Sequence, residues 1–299
     1  MSNVTITAKE VAELRARTSA GIADCKSALV EAGGDMNRAV DILRTKGIAK
    51  AEKRAGRVAS EGRIAALTNS DATAGGLLEL NSETDFVSRS EGFGALVNAL
   101  GEQLLADTSV DGIVADAAEG SFLSKPAASD PSHTVGDLVT EASAKTGEKV
   151  VLRRYARFAT TGTIGIYLHH DGKVAAMVEL TGSNGDAAKA LAKEIAVHIA
   201  AGVPAVALAV HRADVPSEAV DRERRIFEEQ AKQSGKPDNI IQKMVEGRIN
   251  KYFEEVALVD QPWVKEDTKR IKHLLEEASR ESGATLAVRR FVRYKIGEE

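Results

Sequence analysis

The chain repeats itself. Residues 62–81 (GRIAALTNSDATAGGLLELN) align without gaps to residues 162–181 (GTIGIYLHHDGKVAAMVELT), with Gly62 on Gly162, Ile64 on Ile164, Asp71 on Asp171 and Glu79-Leu80 on Glu179-Leu180. Each copy reads as a strand, a turn rich in Asp and Gly, and a second strand, which is the pattern of a β-hairpin. A helical stretch follows each, over 93–106 and 186–201. A second pair of segments, 141–158 (EASAKTGEKVVLRRYARF) and 277–294 (EASRESGATLAVRRFVRY), matches at a wider spacing. Each closes a helix, stops at a glycine (Gly147, Gly283) and enters a strand of Arg, Arg, aromatic, X, Arg, aromatic. Self-similarity of this kind requires two units of one fold, because each copy must bury the same apolar pattern. The expectation is an α+β protein whose core is two repeated α+β halves with antiparallel sheets, 58–158 and 159–299.

The wider spacing of the second pair places an insertion between 201 and 277, and residues 216–255 fit it. Pro216-Ser217 opens a charged helix to Ser234, Gly235-Lys236-Pro237 breaks it, and Asp238 is the expected cap of a second helix to about Glu255. Ile241, Met244, Val245, Ile249 and Phe253 follow helical spacing, while the first helix offers only Val220, Ile226, Phe227 and Ala231. The insertion reads as an antiparallel helical hairpin, a coiled coil, leaving 159–215 and 256–299 as the second half. Its apolar stripe fits equally a self-packed pair or a surface for a second copy or a partner.

At the front, residues 7–47 read as three short helices. Thr7 to Glu10 has capping-box spacing, with Val11 and Leu14 as the first apolar face. The stretch Thr18–Gly21 breaks that helix, Asp24 is the expected cap of a second carrying Ala28 and Leu29, and Gly33-Gly34 ends it. Asp35 caps a third with Ala39, Val40, Ile42 and Leu43 on one face and Gly47 as its stop. A module this small is marginal as an independent core and suits a docking unit; it resembles a ubiquitin-associated (UBA-like) three-helix bundle and, with its linker, spans 1–57. The basic run that follows (Lys50, Lys53, Arg54, Arg57, Arg63, with Glu52 and Glu61 between) has no interleaved aromatic, so it reads as a solvated helix or linker rather than a nucleic-acid patch.

Charge excludes more than it identifies. With 40 Lys+Arg against 44 Asp+Glu the net charge is −4, which argues against bulk coating of nucleic acid. The strand motif Arg153-Arg154-Tyr155-Ala156-Arg157-Phe158 has the basic and aromatic residues of an RNA-binding sheet. Alternation, however, puts Arg153, Tyr155 and Arg157 on one face and Arg154, Ala156 and Phe158 on the other, and neither is a clean aromatic platform. The single cysteine, Cys25, builds neither a disulfide nor a Cys-rich zinc site and reads as a buried structural residue. The N-terminus lacks the pattern of a signal peptide and no run is long enough to span a membrane, so a cytoplasmic location is expected. Nucleotide-binding glycine loops and hydrolase or zinc-protease motifs are absent from the sequence. The adjacent His169-His170 lie on a hairpin turn, where neighbouring side chains rarely converge on one metal. The chain therefore reads as no enzyme, with no catalytic residue, metal or cofactor of its own.

One segment stands out, Glu79-Leu80-Asn81-Ser82-Glu83-Thr84-Asp85-Phe86-Val87-Ser88-Arg89. A strand-like run, Leu77 to Leu80, gives way to an acid and an aromatic side by side just before a helical stretch. A ring in that place either fills a core or enters a partner. The repeat bears on the choice, since the twin strand continues Thr181-Gly182-Ser183-Asn184-Gly185 without any acid–aromatic pair, so the shared fold does not require Asp85 and Phe86.

Two stretches carry a resemblance. Residues 14–29 (LRARTSAGIADCKSAL) and 79–89 resemble the two signatures of the bacterial translation elongation factor Ts family, in the right order, and Val245-Glu246-Gly247-Arg248 and the domain order extend the likeness over nearly the whole chain. The resemblance implies a guanine-nucleotide exchange factor that binds elongation factor Tu, GDP-bound and nucleotide-free, with no direct contact to nucleic acid or membrane. It implies that the N-terminal module docks on the partner's GTP-binding domain through Arg15, Ile22 and Ala23. Thr84-Asp85-Phe86-Val87 would then disturb the partner's magnesium site, with Phe86 wedged between partner side chains, and His169 would contact another partner domain. The helical hairpin corresponds to a dimerisation or coiled-coil region, so a homodimer through it is an expectation. Some relatives carry a further C-terminal helix; the sequence ends at Lys295-Ile296-Gly297-Glu298-Glu299, and the contact of that helix is expected to be missing.

Overall fold

A computed structural model describes residues 6–18, 20–233 and 236–298, without the side chains of 48–52. Ser19, Ser234 and Gly235 and the side chains of Lys50 and Glu52, all named above, lie outside the described residues. At the front, α1 (Ala8–Thr18), α2 (Ile22–Glu31) and α3 (Met36–Arg54) close on Leu14, Cys25, Ala28, Leu29 and Ala39. The capping box forms, with Thr7 N donating to Glu10 Oε2 at 2.7 Å and Glu10 N to Thr7 Oγ1 at 3.2 Å. Asp35 Oδ1 accepts from Arg38 N at 2.9 Å. Two expectations need correction. Gly21 is the N-cap of α2, which puts Asp24 inside the first turn, where its charge faces the positive end of the helix. Gly47 does not stop α3; a Cβ there would lie 3.3 Å from Ala144 Cβ, so the glycine admits a neighbouring helix instead.

The first half of the core contains β1 (Glu61–Thr68), β2 (Ala74–Ser82), the short α4 (Asp85–Ser88), α5 (Glu91–Ala106), β3 (Gly112–Val114), α6 (Val135–Thr146) and β4 (Val151–Ala159). The second contains β5 (Thr163–Leu168), β6 (Val174–Thr181), α7 (Asp186–Ala201), the inserted α8 (Ser217–Lys232) and α9 (Asp238–Val256), a small hairpin of β7 (Pro262–Trp263) and β8 (Glu266–Arg270), then α10 (Ile271–Ser282) and β9 (Ala287–Lys295). The sheets are antiparallel, ordered β1-β2-β4-β3 and β5-β6-β9. The fold is the expected α+β architecture; the short β3 and the β7–β8 hairpin carry too little pattern to be read in advance.

Apolar side chains bury both faces of each sheet. Ile64, Leu77, Ala156 and Phe158 of one sheet meet Ile164, Ala175, Met177, Val292 and Tyr294 of the other. The opposite faces are covered by α5 and α6 on the first sheet and by α7 and α10 on the second. The halves clasp each other reciprocally. Ile64 N donates to Gly172 O at 2.9 Å and Ile164 N to Ala72 O at 2.7 Å, so each hairpin turn accepts from the first strand of the other half. Arg154 lies over the Tyr294 ring at 4.5 Å and Arg290 over the Phe158 ring at 4.1 Å.

The arginine pairs have a structural task. Glu79 and Glu179 are fully buried. Arg153 Nη1 and Arg154 Nε reach Glu79 at 3.2 and 2.7 Å; Arg289 Nη1 and Arg290 Nε reach Glu179 at 3.0 and 2.6 Å. Strict alternation would set Arg153 and Arg154 on opposite faces. The register shifts at Glu79/Leu80 and again at Glu179/Leu180, and this bulge lets two successive arginines grip one carboxylate. The alternating assignment is therefore corrected at Arg153 and holds beyond it. The third arginine of each motif satisfies a carbonyl at the end of a covering helix, Arg157 donating to Leu105 O and Arg293 to Ala200 O, and Arg157 also donates to Val110 O in the loop beyond α5.

In the inserted hairpin, Ile241, Val245 and Ile249 of α9 pack on Ala231, with Val220, Phe227 and Phe253 alongside. Met244 is half-buried, and Ile226 and Ile240 stay exposed. Pro237 occupies the N-cap position of α9, and Asp238 is its first residue rather than its cap. Among the described residues no helix is long and apolar enough to cross a membrane.

Candidate functional site

β2 carries the chain out of the core and α4 turns it sharply. Thr84 is the N-cap of α4, its Oγ1 facing Val87 N at 3.5 Å, and Ser82 Oγ donates to Thr84 O at 3.0 Å. Val87 leans on the first-half core. With Val87 turned inward, Phe86 faces out. Asp85 is half-buried and paired with Arg89 at 3.2 Å. Phe86 is 85 % exposed, the most exposed of the large apolar side chains described. Water around a ring of that size costs on the order of 1.5–3 kcal/mol relative to burial. The core-filling reading of Phe86 is thereby overturned.

The tip has supports that the sequence reading missed. Glu148, beyond the end of α6, accepts from Thr84 N through Oε2 at 3.0 Å and from Thr84 Oγ1 through Oε1 at 2.6 Å. Glu83 accepts from Lys149 N at 2.6 Å and pairs with Arg57 at 3.2 Å. The backbone N–H of Lys149 is the chief reason that the Glu83 carboxyl sits below the usual range. Their signal lies in the repeat: Glu148-Lys149 align with Ala284-Thr285, a change of character inside an otherwise matched segment.

A second feature lies on the N-terminal module. Ile6, Val11, Arg15 and Ile22 line a groove whose wall also includes Lys26 and, from α6, Lys145. Ile22 is 60 % exposed, and Ala23 is exposed beside it. Two basic residues of the run are engaged nearby within the chain, Arg54 Nη1 with Ser143 O at 3.3 Å and Arg57 with Glu83. The groove and the tip thus flank the same end of α6. His169 stands apart from both, on the β5–β6 turn. Its Nδ1 is 3.0 Å from Tyr167 Oη, and its ring lies 4.2 Å from that of His170. The described residues contain no cluster of three or more His, Cys, Asp or Glu able to hold a metal.

Comparison with known sequences gives a consistent picture. The family model described as Elongation factor TS matches residues 83–298. The chain is 41% identical over 293 residues to the elongation factor Ts of Prosthecochloris aestuarii, covering 98% of this chain and 99% of that protein. It is 42% identical over 295 residues to the one from Clostridium perfringens strain SM101, covering 98% and 93%. Against the protein of Thioalkalivibrio sulfidiphilus it is 44% identical over 299 residues, covering 99% and 93%.

Proposed function

The chain belongs to the elongation factor Ts family, a family of translation elongation factors, and we propose that it promotes release of GDP from elongation factor Tu so that GTP can rebind. The observation that carries this reading is the exposed Phe86 on a capped and braced helix end. The N-terminal groove with Arg15, Ile22 and Ala23 docks on the partner's nucleotide-binding domain. The Thr84–Val87 tip enters beside the magnesium, where the Phe86 ring parts partner side chains and the Asp85 carboxylate disturbs the ion's surroundings. His169 provides a contact from the second half.

Exchange of this kind forms and breaks no covalent bond. Bound GDP leaves slowly because phosphates, magnesium and partner loops hold one another in place. A protein that prefers the opened state shifts the population towards it, and equal affinity for both states would shift nothing. Burial of one Phe ring supplies about 1.5–3 kcal/mol, and each ~1.4 kcal/mol is about tenfold. Phe86 alone therefore accounts for about one to two orders of magnitude, and the docking surfaces supply the rest. Coupling is reciprocal, so incoming nucleotide expels the factor. The test is release of fluorescent GDP from elongation factor Tu, chased with unlabelled nucleotide, with and without the chain. Acceleration that rises with chain concentration to a plateau is expected; an unchanged rate sinks the proposal.

A further inference from the structure

Gly147 ends α6 in a left-handed turn, φ +75°, and delivers Glu148 and Lys149 against the segment that leads into the tip. Glu148 holds both the N–H and the hydroxyl of Thr84. The hydroxyl it orients is also the one that caps Val87, so the carboxylate acts on the start of α4 through Thr84. Lys149 works in two directions. Its backbone N–H binds Glu83, while its Nζ donates to Ala55 O at 2.7 Å and Arg57 O at 2.9 Å, just beyond α3. Arg57 closes the loop by pairing with Glu83. The last helix of the docking module and the base of the tip are thus joined through two consecutive residues.

The second half shows that the fold does not need this arrangement. Gly283 makes the same left-handed turn, φ +67°, yet Ala284 and Thr285 stand where Glu148 and Lys149 stand. Ser183-Asn184 stand where Glu83-Thr84 stand, and Asn184 serves the sheet instead, Oδ1 accepting from Thr163 Oγ1 at 2.9 Å. Whatever both halves share is scaffold. The Glu148 and Lys149 bonds occur only in the half that carries Phe86.

Resting on the exchange reading above, we propose that Glu148 and Lys149 are positioning residues for exchange. Glu148 fixes the Thr84 cap, so that Asp85 and Phe86 leave the core at one angle. Lys149 ties that cap to the end of α3, so that docking of the N-terminal groove sets where the Phe86 ring lands. Neither side chain needs to touch the partner.

The experiment measures GDP release from elongation factor Tu over a range of full-length chain concentrations, which separates the maximal rate from the half-saturating concentration. Glu148→Ala should lower the maximal rate about ten-fold, the factor carried by one charge-assisted hydrogen bond, and leave the half-saturating concentration unchanged. Glu148→Gln keeps one acceptor for the two Thr84 donors and should recover part of the loss. Lys149→Met should move the maximal rate in the same direction by less. Because Glu148 acts through the tip, Glu148→Ala added to Phe86→Ala should slow release by less than the product of the two separate factors, the remainder falling on Asp85. An unchanged maximal rate, a rise in the half-saturating concentration alone, or losses that multiply in the double variant each overturn the proposal. Should Glu148→Ala fail to fold, Glu148→Gln with wild-type kinetics overturns it equally. A wild-type chain that fails to accelerate release defeats the exchange reading, whereas an active wild type matched by Glu148→Ala defeats this inference alone.

Discussion

Glu79 and Glu179 sit at equivalent strand ends, each buried under two arginines at a bulge, yet β2 runs on into an exposed helix tip and β6 into a plain turn. The comparison separates two kinds of conservation inside one molecule. The clamp, the reciprocal turn bonds and the two ring–guanidinium stacks occur in both halves, because each half must solve the same packing problem. Even the close approach of helix to sheet is solved twice. A Cβ at Gly101 would lie 2.6 Å from Ala65 Cβ, and a Cβ at Gly165 would lie 2.2 Å from Ala192 O, so the missing side chain is on the helix in one half and on the strand in the other. Asp85, Phe86, Glu148 and Lys149 have no such counterpart.

The largest effect should come from the shared clamp. Removing one partner of a buried ion pair typically costs about 3–5 kcal/mol, and Glu79→Leu should approach that. Glu179→Leu should cost less, about 2 kcal/mol, because Arg289 is already 57% exposed against 32% for Arg153 and because Arg290 keeps Asp111 at 2.6 Å. Urea unfolding of the two variants checks the order. Equal losses would mean that the surroundings of the arginines are irrelevant to the clamp.

Phe86→Ala probes the unshared feature, and its effect should fall on function alone. The ring is exposed, so the thermal midpoint should stay within a degree or two, on the order expected for a surface change. The maximal rate of GDP release from elongation factor Tu should fall about ten- to a hundred-fold, the worth of one buried ring. A fall in the midpoint with no change in release would return Phe86 to the scaffold.

Legibility followed the same division. The repeat was readable because matched residues recur at matched spacing, and the helices after each hairpin, α5 and α7, lie where their periodicity put them. The tip segment stood out because an aromatic beside an acid is unusual at a strand end, but the residues alone left core filling and partner entry both open, and only the exposure of Phe86 speaks against the core. What escaped was non-local. Period-two alternation cannot anticipate a bulge, so the joint grip of Arg153 and Arg154 on Glu79 was hidden. Glu148 finds Thr84 across 64 residues, and no local pattern reports such a contact. Gly47 read as a helix stop because its use, admitting Ala144, depends on a helix from another part of the chain.

A smaller perturbation tests how closely the two sheets mesh. Gly75 is the twin of Ala175, and a Cβ at Gly75 would lie 2.7 Å from Ile164 Cγ2 and 3.0 Å from Met177 Sδ. Gly75→Ala makes the sequences more alike while overfilling the seam, so it should cost about 1 kcal/mol in spite of the stiffer backbone. A gain in urea midpoint would show that the seam has room and that the two faces are less complementary than their contacts imply.

The smallest change also makes the halves more alike, with the opposite sign. Tyr294 is the twin of Phe158, and both rings lie under an arginine from the other half. The difference is one hydroxyl. Tyr294 Oη is buried with no hydrogen-bond partner among the described residues, and burial pushes its phenol pKa up, so the group stays neutral at any pH at which the protein is handled. An unpaired buried hydroxyl carries a desolvation penalty of about 1–3 kcal/mol, part of which the surrounding contacts offset. Tyr294→Phe keeps the ring and the Arg154 stack and removes only that penalty. Stability should be unchanged or rise by up to about 1 kcal/mol, read as the urea midpoint at constant slope. A loss of that size would mean that the hydroxyl is bonded, through water or otherwise, and that the seam between the halves is asymmetric at its centre as well as at its tip.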